Sequence, residues 1–164
     1  MVTGVLDALV PYEDPSRAIY GLILIGALLA AESGKHESYF DTIASAAIAA
    51  AVYWLAHGYA TALGQRLANR RRLTPGTVIR AMRHDFALIR GGSIPLLALA
   101  LAAALGASQE TAVTAALWSA IASLGLFELL AGLRAGASRT ELALETAIGV
   151  AMGLGILLLK IVLH

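Results

Sequence analysis

The chain has 164 residues, 59% of them hydrophobic and only 14% charged. Soluble domains are about 45–50% apolar and about 25% charged, so this composition, with a mean hydropathy of +0.76, excludes an ordinary soluble fold. Without cysteine there is neither a disulfide framework nor a thiolate metal site, and the net charge of +1 matters less than where the charges fall.

Residues 1–17 carry Asp7, Glu13 and Asp14 against a single basic residue, Arg17. A cleavable signal peptide needs a basic start, an apolar middle and a small-residue cleavage site, and none is expected here. Five apolar stretches follow, over about 18–32, 42–63, 93–108, 111–133 and 141–163. About 20 residues of helix cross a hydrocarbon core of about 30 Å. The second, fourth and fifth stretches meet that length, and the first and third read as short spans. Backbone in lipid must close its own hydrogen bonds, so all five are expected to be helices.

The loop after the first stretch, "AESGKHESYFD", holds Glu32, His36, Glu37 and Asp41. These donors suit a divalent cation in principle, but their spacing fits no tight ligand motif. The expectation is a solvated loop with Asp41 capping the second span. Between the second and third stretches lies "RRRLTPGTVIRAMRHDFALIRGG". It reads as a basic cluster followed by an amphipathic helix over about 75–90. Thr74 suits the N-cap and Pro75 the first helical position. Val78, Ile79, Met82, Phe86 and Ile89 share one face, and Gly91 and Gly92 are expected to stop the helix. Such a basic amphipathic helix lies on the inner membrane surface, either as an interfacial strut or as a partner-docking element.

The basic residues orient the chain. In a five-span arrangement Arg17, Arg66, Arg70, Arg71, Arg72, Arg80, Arg83, Arg90, Arg134 and Arg139 fall on one side. Only Lys35 and Lys160 fall on the other. Cytoplasmic loops are enriched in Lys and Arg, which predicts a multi-pass protein of the plasma membrane with a cytoplasmic N-terminus and an extracytoplasmic C-terminus. Arg70, Arg71, Arg72, Arg80 and Arg83 are expected to face the anionic inner leaflet.

Small residues mark helix contacts: Gly149 and Gly153 form a GxxxG in the fifth stretch, and Gly132 and Gly136 do so at the end of the fourth. Close backbone approach at small residues helps helices associate in lipid, within one chain or between chains. Ser138-Arg139-Thr140-Glu141 reads as a capping box for the fifth span.

The polar residues within the apolar stretches carry the functional expectation. His57 in "YWLAHGYA" lies roughly 7 Å past its span's midpoint, and Glu128 lies roughly 9 Å past its own toward the same side. Glu145 lies within the first turn or so of the fifth span, running the other way. The three groups thus share one layer in depth. Glu128 shares a face with Gly125 and Gly132, Glu145 with Glu141, Gly149 and Gly153, and His57 with Tyr53, Trp54 and Thr61. A lone charge facing lipid costs about 2.5–3.5 kcal/mol, so these groups should face protein, water or one another. They read either as a proton or cation pathway (His57, Glu128, Glu145, Tyr53, Thr61) or as interhelical hydrogen-bonding groups. Ser119 and Ser123 are expected to bond to backbone or other helices rather than act as nucleophiles. The absence of P-loop, HExxH, GxSxG and Cys/His zinc patterns argues against an enzyme, a resident metal or a cofactor. Arginines in an inner-leaflet pattern argue against nucleic-acid binding.

"YWLAHGYA" together with "LLLKIVLH" at the C-terminal end resembles small five-span membrane proteins of actinobacterial type, a resemblance that implies topology alone. The layout is also similar to that of the vacuolar iron transporter family: five spans, an inner N-terminus and a cytoplasmic insertion between spans two and three. That family's members are dimers using acidic and methionine residues of the first two spans. Here "AIYGLILIGALLAA" has none, and the second span offers only His57.

The fold expected is therefore all-α: a polytopic helical membrane protein of about five transmembrane helices plus a cytoplasmic amphipathic interfacial helix, a homo-oligomer in the bilayer. Two functions fit: a small channel or transporter for protons or small cations, or a non-catalytic membrane subunit or scaffold that binds a protein partner.

Overall fold

The computed structural model describes residues 15–32, 38–70 and 72–163, all of which are helix or short connections, with no strand among them. The helices are α1 (Pro15–Glu32), α2 (Tyr39–Asn69), α3 (Pro75–His84), α4 (Phe86–Ala104), α5 (Gln109–Ala135) and α6 (Arg139–Leu163). Four helical segments are long and apolar enough to cross a membrane: Tyr39–Asn69, Pro75–Ala104, Gln109–Ala135 and Arg139–Leu163. The first apolar stretch forms a shorter helix, Ser16–Ala31. His36, Glu37 and Lys35 of the first loop, Arg71, and the acidic N-terminal residues lie outside the described residues.

The termini follow from local chemistry. Ser38 caps α2, and Asp41 completes the box from the third helical position by accepting from the Ser38 backbone. Asp41 thus caps from inside the first turn and is not itself the N-cap. Thr74 caps α3, with Pro75 in the first turn and Thr77 reciprocating. Ser138 and Glu141 form the box that opens α6. Each box satisfies orphan amides that would otherwise lack partners.

With α3 and α4 taken as one bent segment, successive helices alternate in direction. α1 and α4 run parallel: Ala18 lies against Gly91, and Gly21 against Leu88 and Gly92. α5 and α6 run antiparallel, with Gly132 against Glu145, Gly149 against Leu124, and Gly153 against Ile121. At the far end of the bundle the Tyr39 hydroxyl donates to the carbonyl of Ala107, Gln109 Nε2 to Thr42 Oγ1 at 3.3 Å, and Lys160 Nζ to Thr114 Oγ1 at 2.9 Å.

α1 is short but central. It packs against α4, α5 and α6, and Ala18, Leu22, Ile25, Leu29 and Ala30 are fully buried. Their core partners include Leu99 of α4, Val113, Leu117, Leu124 and Phe127 of α5, and Ile156 of α6.

The expected helix stop at Gly91 and Gly92 is corrected. α4 runs unbroken through both, and the break between α3 and α4 falls at Asp85. The amphipathic helix accordingly ends at His84 rather than near residue 90. Both glycines are buried, and a Cβ on Gly91 would collide with the Ala18 carbonyl. They are small because α1 crosses there at backbone contact, not because the helix must end.

Candidate functional site

The end of the bundle that holds the N-termini of α1, α4 and α6 carries two polar clusters. The first centres on Asp85, which is fully buried. Its amide donates to the Ala81 carbonyl at 3.0 Å and its own carbonyl accepts from Leu88 at 3.1 Å, so the backbone turns helically through the junction and aims the side chain inward. Ala81, Leu88, Gly92, Pro95 and Leu99 continue the same buried stripe. The Asp85 carboxylate pairs with the guanidinium of Arg17 from α1. From α2, Thr61 Oγ1 donates to Oδ2 of Asp85 at 3.4 Å, and His57 Nε2 stands 3.9 Å from the same oxygen. One carboxylate therefore ties α1 and α2 to the start of α4.

His57 is oriented by its neighbours. The Tyr53 ring stacks on it with 5.9 Å between centroids and 17° between planes. One helical position along, Trp54 Nε1 donates to the Met82 carbonyl at 2.9 Å. Its indole meets Phe86 edge-on at 6.1 Å, and the Arg90 guanidinium lies 5.7 Å over the Phe86 ring. Gly58 is buried where α3 crosses, and a Cβ there would press on Met82.

The second cluster lies on the α5–α6 seam. Glu128 and Glu145, both half-buried, are within electrostatic reach of one another. Each leans on a glycine of the opposite helix: the Glu128 side chain covers Gly149, and the Glu145 carboxylate covers Gly132. Thr146, next to Glu145, holds its hydroxyl oxygen buried on this seam with no hydrogen-bond partner among the described residues. Ser119 of α5 donates to the Ala116 carbonyl at 2.7 Å, the backbone bond expected of it.

Of the residues singled out in the sequence, His57, Tyr53 and Thr61 form one group on α2, and Glu128 and Glu145 form another between α5 and α6. His57 engages Asp85, and Glu128 engages Glu145. Sequence reading missed Asp85 and Arg17 as site residues. One signal was present: between Gly64 and Arg90 Asp85 is the single acid among seven arginines, at helical spacing from Ala81 and Leu88. Arg17 is the sole basic residue before Lys35, at the threshold of an apolar helix. Among the described residues, no three His, Asp or Glu side chains gather as metal ligands.

By composition and fold, the chain has the features of an all-helical membrane protein: four helices long and apolar enough to cross a bilayer, a buried ion pair and a carboxylate pair at one end. No protein-family model, curated protein or solved structure matches it.

Proposed function

We propose that the chain is a five-span protein of the plasma membrane, N-terminus cytoplasmic and C-terminus outside, that moves protons or small cations. Support for the orientation comes from charge. Arg17, Arg66, Arg70, Arg72, Arg80, Arg83, Arg134 and Arg139 gather at the Asp85 end, while Lys160 lies near the other. α3, with its capping box and basic last turn, would then lie at the inner interface, and the largely uncovered α2 and α6 would meet lipid or a second copy.

The observation that carries transport is that Glu128 and Glu145 face one α5–α6 seam within apolar helices, each packed on a glycine one turn from the other acid. Two carboxylates in low dielectric repel unless a proton or a cation lies between them. Residues of this kind inside membrane helices mark ion or proton paths. The unpartnered Thr146 hydroxyl extends the polar surface along the seam. Asp85 with Arg17 is better suited to a fixed latch, with the His57 imidazole at its edge.

The test is flux in proteoliposomes under a potassium diffusion potential, following internal pH. Proton or cation flux is expected in wild type, lost in folded Glu128→Gln and reduced in Glu145→Gln. If no flux exceeds that of empty vesicles for protons and for common mono- and divalent cations, transport is wrong. The chain is then better regarded as a membrane subunit that presents α2 to a protein partner.

A further inference from the structure

α2 does not stop where its apolar stretch ends. It continues to Asn69, and α3 folds back against it. Between them opens a cleft of about 360 Å³ whose polar lining is Gln65, Arg66, Asn69, Arg72, Thr77 and Arg80. Three arginines thus line it from three places: the last turns of α2, the connection, and α3. Gln65, Asn69 and Thr77 add neutral donors. Among the described residues no carboxylate lines the cleft. The single acid of the Gly64–Arg90 stretch, Asp85, is buried against Arg17.

The backbone is bent to make this arrangement. Arg70 caps α2 in the left-handed conformation, φ 50° and ψ 28°, the single non-glycine residue with positive φ among those described. A side chain in that region costs roughly 1 kcal/mol, and such outliers cluster at functional positions. Glycine would be the ordinary residue there. The turn carries Arg72 back over the cleft rather than away from it.

Arginine's planar fork matches phosphate oxygens in pairs, and clustered arginines are the common protein device for phosphate recognition. A pocket of this volume lies in the range that holds small ligands. We propose that the α2–α3 cleft is a binding site for a phosphate-bearing anion, held by Arg66, Arg72 and Arg80. The phosphate is carried on a lipid headgroup or free in solution. The site is independent of the transport reading, because none of its residues belongs to the Asp85 or Glu128 clusters.

The experiment uses the full chain in nanodiscs, with native mass spectrometry for stoichiometry and titration for affinity. Two probes separate the sources: inorganic phosphate added to phosphatidylcholine discs, and phosphatidic acid mixed into the discs without added phosphate. Saturable binding of one probe molecule per chain is expected. It should weaken at least tenfold in Arg66→Gln with Arg80→Gln, and change less than twofold in Arg134→Gln with Arg139→Gln, which removes equal charge from the same end. The Arg66→Lys with Arg80→Lys chain keeps the charge but not the fork, and should bind with intermediate affinity. Saturation by inorganic phosphate assigns a soluble ligand, and saturation by phosphatidic acid alone assigns a lipid. Equal weakening in both glutamine pairs would reduce the cleft to diffuse charge and overturn the proposal, as would the absence of saturable binding of either probe by wild type with native helix content.

Discussion

Helices α1, α4, α5 and α6 are held together differently from α2 and α3. In the first group glycines bring backbones into contact: Gly21, Gly91 and Gly92 where α1 crosses α4, and Gly125, Gly132, Gly149 and Gly153 along the α5–α6 seam. Apolar side chains fill the rest, with Leu22, Ile25, Leu29, Leu99, Leu117 and Leu124 fully buried. In the second group polar contacts take a larger share: Trp54 to the Met82 carbonyl, and Thr61 and His57 to Asp85, beside the close approach of Gly58 to Met82 and the core alanines Ala46 and Ala50 of α2. The long α2 leaves Ile48, Val52, Leu55 and Tyr59 exposed. Without a hydrophobic drive in lipid, small-residue packing and hydrogen bonds are what associate helices. The first unit rests chiefly on small-residue packing, and the second, apart from Gly58, leans more on hydrogen bonds. The glycine-packed unit should therefore be rigid, and the α2–α3 arm the part that moves.

The comparison breaks most severely at Gly91. Its neighbour is the carbonyl and Cα of Ala18, backbone atoms that no rotamer change can withdraw. Gly91→Val is expected to cost more than about 4 kcal/mol, beyond ordinary overpacking. Purification in mild detergent should yield aggregate in place of a monodisperse peak. A folded, monodisperse Gly91→Val would mean that α1 and α4 do not cross at backbone contact.

Asp85 joins the two units, and its loss should come next in size. Removing one partner of a buried ion pair costs about 3–5 kcal/mol, because the other charge is left stranded. Asp85→Ala should lower thermal stability by that order. Pairing it with Arg17→Met should recover most of the loss, since an apolar pair of similar volume is tolerated where a lone charge is not. A double variant as unstable as the single one would show that Asp85 acts through Thr61 and His57 instead.

The arm itself should yield to smaller changes. Trp54→Phe removes the indole donor to Met82 while keeping an aromatic ring against Phe86. The expected cost is about 1 kcal/mol, and its location matters more than its size. Amide exchange should quicken in α3 and the last turns of α2, and stay unchanged in α1 and α5. Exchange that quickens throughout would mean the arm and the bundle open as one unit.

What could be read from the sequence divides along the same line. The N-cap at Thr74 was legible from its residue type ahead of Pro75, and the capping box at Ser138 because Ser138 and Glu141 are three positions apart; the reciprocal bond from Thr77 came only with the structure. The glycines at 149 and 153 were legible as contact points because GxxxG spacing places both on one helix face. Gly91 and Gly92 were misread as a stop, since a glycine pair after a basic amphipathic run looks the same whether the chain ends a helix or another helix crosses it. Only the position of α1 decides, and α1 is some seventy residues away. Asp85 was passed over for a related reason. It stands beside His84 and Arg83 in no recognised motif, although its phase matches Ala81 and Leu88. The Glu128–Glu145 meeting was half legible: depth along the helices put them in one layer, but facing one another depends on how α5 and α6 turn about their axes.

The smallest effect is a gain, and it sharpens the comparison from the other side. Gly64 lies inside α2 with ordinary helical geometry, and a Cβ there would meet nothing within 4 Å. Glycine in a helix interior is disfavoured by roughly 0.5–1 kcal/mol against alanine, chiefly through the freedom it keeps when unfolded. Gly64→Ala should therefore raise the melting temperature, whereas Gly91→Val abolishes folding. If Gly64→Ala lowers stability, something not visible in one chain packs there, and a second copy against the end of α2 becomes the first explanation to test by cross-linking. If it raises stability but slows flux in proteoliposomes, the flexibility of the arm at that glycine belongs to the working cycle, because a mobile element loses function when its minor conformations are made scarce.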